Sequence, residues 1–383
     1  MEINRYNQNV VFFFLCAKIH LGNKSSKITC PDLNVHKEKM KDSDKEKYLG
    51  DFITKHSNSK ETIKERNQRG NAIISEMKAI LQDIPLGKRK TQIGLTLRQA
   101  WFLNGCFFNS EVWSGANKSD LKELNVIDHK ILRLITGAQS KVPNEMLYLE
   151  LGQIPIKNVI AVRRILYLHN ILKRHETELI RRVYCAMKNK TSNGDWIELV
   201  ANDMKEINLD LSDEEISQFS KQDFKSLIKN RMRNIVFSDL EIQKSDHSKV
   251  RNIIHTDLKT PQKYLTNGIF TNKMSSLLLN FRCKSVNEFR SNLESSDQHS
   301  PCKFCMKSDD TQEHALVCTV VKTHLSENNT KLVNSVSYMD LFGSIDAQLI
   351  VTEAFSIIIK TRENLRKYPV DGLPGHNSGP NSL

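Results

Sequence analysis

Apolar residues recur at three- and four-residue spacing along most of this chain, the period of a helix with one buried face. Ile63, Arg66, Gly70, Ile73, Ile74, Met77, Ile80 and Leu81 form the first such series, and Pro85 and Gly87 end it. A second helix is predicted from about Thr91 through Val112, with Leu95, Leu97, Ala100, Leu103 and Phe107 inward. A third carries Leu121, Leu124, Ile127, Ile131, Leu134 and Ile135, with Ser119 as N-cap and Gly137 as its left-handed stop. Pro143 opens a helix through Leu151, punctuated by Gly152 and Pro155. The stretch Lys157 to Met187 is long, apolar-periodic and basic, and Asn193-Gly194-Asp195 turns the chain into a helix beginning near Trp196. Ser212-Asp213-Glu214-Glu215 has the form of a capping box, in which cap hydroxyl and third-residue carboxylate each satisfy the other's backbone N–H. Asp223 to Leu240 reads as a basic helix and Met274–Phe281 as a short apolar one. After Ser326 the pattern weakens, and the Gly- and Pro-rich tail from Pro369 reads as disordered.

The first 55 residues differ. Val10–Ile19, Ile28–Val35 and Lys47–Ile53 are β-prone runs separated by charged, turn-like segments. The predicted fold class is therefore mainly α, with a short N-terminal β-hairpin, a helical bundle and a small C-terminal module. The expected divisions are 1–55, 56–190, 191–284, 285–325 and 326–383, the last a weakly structured helix and tail.

Composition agrees with helices: only 15 Gly and 9 Pro punctuate 383 residues. Lys and Arg number 56 against 44 Asp and Glu, a net charge of +12, which favours an anionic partner, nucleic acid first. The longest apolar run, Val10–Ala17, is too short to span a bilayer and lacks a cleavage pattern, so no membrane association or secretion is expected. Eight cysteines are too sparse for a disulfide scaffold and suit an intracellular chain, nuclear or cytoplasmic. Phosphate-loop, dinucleotide, zinc-protease and nucleophile-elbow motifs are absent from the sequence.

Cys302-x-x-Cys305, His314 and Cys318 carry the sharpest chemistry. A Cys-x-x-Cys turn presents two thiolates to one ion, and a His and a Cys four apart share a helix face. Four such ligands close a tetrahedral Zn²⁺ shell, which points to a structural ion. His299 and His324 flank the quartet as fallback ligands. The second candidate is the predicted basic helix between Lys157 and Lys190, with nine Lys/Arg and two acids. Arg163, Arg164, Lys173, Arg174, Arg181 and Arg182 are its candidate phosphate contacts, the alternative being a solvated face. Trp101, Trp113, Tyr148, Tyr167 and Trp196 sit on apolar-periodic segments and are expected in the core. Tyr338-Met339-Asp340-Leu341 looks like a polymerase Tyr-x-Asp-Asp signature, but one Asp without a partner carboxylate cannot hold two Mg²⁺ ions.

The order of short motifs adds a family resemblance. Lys47-Tyr48-Leu49-Gly50-Asp51 is followed by Glu111-Val112-Trp113 and Leu124-x-x-Ile127-Asp128-x-x-Ile131-Leu132-Arg133. Next come Pro143-Asn144-Glu145-Met146-Leu147-Tyr148-Leu149-Glu150-Leu151-Gly152, Arg163-Arg164-x-x-Tyr167-Leu168, Gly194-Asp195-Trp196 and the Cys/His quartet. In this order they resemble the C-terminal part of a non-LTR (LINE-like) retrotransposon polyprotein, downstream of its reverse transcriptase active site. The resemblance implies palm strands in 1–55, with Tyr48-Leu49-Gly50 on a primer-supporting hairpin, and a duplex-gripping thumb in 56–190. It also implies a nucleic-acid-associated zinc motif at Cys302, Cys305, His314 and Cys318. The family's catalytic aspartates would lie upstream of residue 18. The expected function is thus a catalytically inactive, truncated fragment that binds RNA or DNA as a template–primer-like duplex. The alternatives are a non-functional fossil or a helical interaction protein without nucleic-acid binding.

Overall fold

The computed structural model describes residues 59–84, 90–113, 118–189, 195–253, 255, 257–286, 289 and 301–367, together with short strands between 10 and 54. The fold is mainly α with short N-terminal β pairs, as the periodicity predicts. Two compact units form, each from three separate stretches of chain. One combines Met1–Met77, Thr96–Lys130 and Ile154–Val236; the other combines Lys78–Leu95, Ile131–Gln153 and Phe237–Leu383. This grouping differs from the consecutive divisions expected at 55, 190 and 284, because packing between distant helices decides it.

In the first unit, Val10–Phe14 pairs antiparallel with Ala17–Leu21, so the predicted Val10–Ile19 strand is a hairpin. Most of the predicted Ile28–Val35 strand lies outside the described residues. Lys45–Tyr48 pairs antiparallel with Asp51–Thr54; Leu49 and Gly50 between them also lie outside the described residues. This second hairpin is tied to the helix Lys60–Gln82. Arg66 pairs with Asp51 at 3.1 Å, and the Phe52 N–H donates to Thr62 Oγ1 at 2.9 Å. On that helix Ile63, Ile73 and Met77 are buried, as the spacing requires.

The predicted Thr91–Val112 helix is corrected. It is α-helical over Lys90–Leu97, π-helical over Arg98–Leu103, and resumes only for Asn104–Cys106. A π turn holds more residues than an α turn, so it shifts the phase of every side chain beyond it. The buried set becomes Arg98, Phe102, Leu103, Cys106 and Phe107, while Ala100 is exposed and Leu95 and Leu97 half-buried. Arg98 opens the π segment and continues the buried row of Thr91 and Gly94; it meets Asp128, where two parallel hydrogen bonds of 2.6 and 2.8 Å join two fully buried charges. Three further helices, Ile156–Leu172, Trp196–Glu206 and Lys221–Ser245, complete the core. His169 is satisfied within it, stacked on Phe224 at 4.7 Å with Nε2 3.1 Å from the Phe219 carbonyl. The capping box forms with both arms, Ser212 N–H to Glu215 at 2.7 Å and Glu215 N–H to Ser212 at 3.2 Å.

In the second unit, Lys118–Thr136 contributes its last residues and stops at Gly137, whose φ of 70° fits the predicted left-handed stop. The helix Asn144–Leu151 buries every side chain from Met146 onward. Gly152 follows at φ 60°, with the Lys259–Thr260 backbone pressed against the space a Cβ would take. The expectation of weak structure after residue 326 is also corrected. Ile345–Lys367 is a 23-residue helix that buries Val351, Ala354, Phe355, Ile358 and Leu365. Phe355 stacks on Phe281 of the Asn272–Arg282 helix at 3.9 Å. The apolar series on this helix is interrupted by Arg362, which hides its length in the sequence. Residues 368–383 lie outside the described residues.

Candidate metal centre

Cys302, Cys305, His314 and Cys318 come together in the second unit, their ligand atoms all within 4.8 Å of one another. The first pair lies on a tight turn closed by the Met306 N–H to the Cys302 carbonyl at 2.8 Å. Met306 takes a left-handed φ of 54°, which swings the chain back so that the Cys302 N–H meets Ser308 O at 2.7 Å. The second pair comes from the short helix Gln312–Val317 and the residue after it. Thr311 caps that helix, its hydroxyl accepting from the His314 N–H at 3.0 Å, and so sets the imidazole toward the turn.

Cys302 and Cys318 sulfurs are 3.9 Å apart, and Cys305 Sγ is 3.2 Å from His314 Nε2. In a tetrahedral zinc site with Zn–S bonds of about 2.3 Å, the S···S edge is about 3.8 Å. The donor set and its spacing are therefore compatible with zinc. Cys302 is drawn well below the usual thiol range, to about 4, first by its hydrogen bond from Cys318 and then by the Cys305 and Phe304 N–H groups. Cys318 is correspondingly pushed up by that shared proton and by burial. Two thiolates this close repel, and a dication between them removes the conflict. His324 is exposed and bonds the Val320 carbonyl; His299 lies outside the described residues.

The loop is fixed from behind by residues that spacing does not flag. Asp310 forms a fully buried ion pair with Arg362 of the Ile345–Lys367 helix. The Arg362 guanidinium lies between the rings of Phe289 and Phe304, 4.9 Å from each. Gln312, also fully buried, donates to the Phe281 carbonyl at 3.0 Å. The same unit holds a second buried polar cluster around Glu150. Its carboxylate meets Arg282 and His255 at 3.3 Å and accepts from Tyr264 Oη at 2.9 Å. Burial acts to raise the Glu150 carboxyl, but the Arg282 charge and the His255 and Tyr264 hydrogen bonds outweigh it and hold it at about 2. None of its partners stands near Glu150 in sequence, so only the fold brings the cluster to light. Asp340, the residue of the polymerase-like tetrapeptide, caps a short 3₁₀ turn by accepting the Ser337 N–H at 2.7 Å.

The predicted phosphate-contacting residues belong to the first unit, and they do not share a face. The Lys157–Lys190 run is two helices, Ile156–Leu172 and Leu179–Lys188, interrupted by the turn between them. Arg163 turns inward to the carbonyls of Phe107 and Leu103, the latter at 2.8 Å. Arg164 is ion-paired with Asp203 at 2.6 Å in a largely buried contact. Burial raises Asp203 to about 6 against the opposing Arg164 charge. Arg181 lies over the Tyr184 ring at 5.6 Å. Lys173, Arg174 and Arg182 are exposed, Arg174 beside Glu178 at 3.4 Å. Of the five expected core aromatics, Trp113, Tyr148 and Trp196 are buried and Trp101 and Tyr167 are half-buried. Among the described residues, no helix is long and apolar enough to cross a membrane. Comparison with protein-family models, with curated proteins and with solved structures finds no match for this chain.

Proposed function

We propose that this chain is a zinc-stabilised nucleic-acid-binding protein that works by binding and not by catalysis. The observation that carries the reading is the Cys3His quartet, a four-ligand set spaced for tetrahedral zinc and locked to a long helix through Asp310 and Arg362. Four protein ligands fill the coordination shell, so the ion holds a surface in shape. The net charge of +12 supplies the second support, since a cationic surface gathers a phosphate polymer. The motif order resembling the end of a non-LTR retrotransposon polyprotein agrees with both.

Two measurements on the purified chain test this. Metal analysis is expected to return one zinc per chain. Fluorescence anisotropy with a labelled RNA and a labelled duplex DNA is expected to give affinity that falls steeply with salt, as counterion release requires. Zinc-free folded protein, or no binding at low salt, would overturn the reading.

A further inference from the structure

The helix Lys221–Ser245 carries a basic pattern that the Lys157–Lys190 run does not. Lys221, Lys225, Lys229 and Arg233 recur at every fourth residue and therefore form one row along the helix. The three lysines are exposed and Arg233 is half-buried. Among the described residues, none of the four has an ion-pair partner. No Asp or Glu occurs between Asp223 and Asp239. Like charges at this spacing weaken a helix, so the row stands against local preference. Beside it runs a second row, Gln222, Ser226, Asn230 and Asn234, all exposed and all able to donate and accept hydrogen bonds.

A third row, Phe224, Ile228, Met232 and Val236, is buried and fixes the helix in the first unit. Phe224 is held by the His169 ring, and Met232 lies 3.4 Å from the Asn158 amide. Both solvent-facing rows are thus presented on a rigid element. Each step of four residues rises about 6 Å, and the cationic row extends about 18 Å. Burial, then the Lys225 and Arg233 charges, keep Lys229 below the usual lysine range, as expected of crowded cations without a counter-charge.

We propose that this face is a phosphate-backbone contact of the protein: Lys221, Lys225, Lys229 and Arg233 track successive phosphates of one strand, and the amide row meets its sugars and base edges. The occupant is a nucleic acid because the positive charges are arranged as a line flanked by hydrogen-bonding groups, and no large apolar side chain stands in either row to enter a lipid surface. The inference rests on the nucleic-acid-binding reading and locates it on a surface separate from Arg163 and Arg164.

The test compares the full-length chain with Lys225→Gln/Lys229→Gln and with Lys173→Gln/Arg174→Gln, which removes the same charge from the rival run. Each is titrated by anisotropy against a labelled single-stranded RNA 20-mer from about 50 to 200 mM salt. Circular dichroism melts establish that the variants fold. The Lys225/Lys229 variant is expected to bind at least ~10-fold more weakly at the lower salt, and to lose about 1.4 from the log–log salt slope, at ~0.7 per phosphate contact. The Lys173/Arg174 variant is expected to keep the wild-type slope. Equal losses in both variants, or none in the first, overturn the assignment while leaving the binding reading intact. No binding by the wild-type chain overturns both. Phosphatidylserine vesicles form the last arm: if the Lys225/Lys229 variant loses vesicle sedimentation but keeps RNA affinity, the face is a membrane contact and the assignment fails.

Discussion

Replacing Arg282 with Met isolates the buried charge cluster around Glu150. Arg282 meets Glu150 at 3.3 Å, donates to the Leu341 carbonyl at 3.0 Å, and lies over the rings of Tyr264 and Phe342 at 5.5 and 5.3 Å. Removing one partner of a buried pair leaves the other charge uncompensated, which costs about 3–5 kcal/mol at neutral pH. The pH dependence tests the cause. The folded Glu150 carboxyl sits at about 2 against an ordinary 4.5. A lowered folded value contributes stability fully above pH 4.5 and loses it as pH falls toward 2. That interval converts to about 3 kcal/mol. Urea unfolding from pH 7 to pH 2.5 should therefore show a steep wild-type loss below pH 4.5. Glu150→Gln should lack that component, so the two curves converge in acid; release of the proposed zinc at low pH would affect both and cancel in the difference. Arg282→Met should be strongly destabilised at pH 7 and approach wild type as Glu150 becomes protonated. Wild-type and Glu150→Gln curves that run parallel from pH 7 to 2.5 would refute the reasoning.

Three further outcomes follow from other contacts. Cys302→Ser should release zinc and raise proteolytic sensitivity around residues 301–318, read by metal analysis and limited proteolysis, because binding energy at such a site is folding energy. Asp310→Asn and Arg362→Met should each lower stability by about 3–5 kcal/mol, and the double variant by far less than their sum in a denaturant double-mutant cycle. Gly152→Ala should cost about 1–3 kcal/mol in urea unfolding, since its Cβ would lie 2.8 Å from the Thr260 carbonyl carbon at a φ of 60°.

Much of the helix content was legible in the sequence because its signals are local. Gly137 stops a helix by its backbone freedom, and Ser212 and Glu215 satisfy each other within one turn. The Cys302-x-x-Cys305 turn and the His314–Cys318 spacing likewise need only their own neighbourhoods. What escaped depends on partners far along the chain. Arg98 looks like a surface residue until the fold sets Asp128, 30 residues away, against it. Arg362 breaks an apolar series for the sake of Asp310, which lies 52 residues away. The basic run from Lys157 failed as a single face because charge counts do not reveal that Arg163 and Arg164 are occupied inside. Asp128 and Glu150, and the Arg163-Arg164 pair, all belong to the motifs that carried the family resemblance. In the fold they are internal anchors, so what the motif order encodes most directly is the architecture.

The interleaving of the two units has a consequence for synthesis on the ribosome. The first unit cannot bring its three stretches together until Val236 has emerged, and the second waits for the Ile345–Lys367 helix. Until then the Asn144–Leu151 helix lacks His255, Tyr264 and Arg282, which enclose its Glu150. A nascent chain of this kind is exposed to association for most of its elongation, and slower translation would lengthen that exposure. Chaperone demand during expression should therefore be high, and should persist until the Ile345–Lys367 helix leaves the exit tunnel and docks Arg362 onto Asp310.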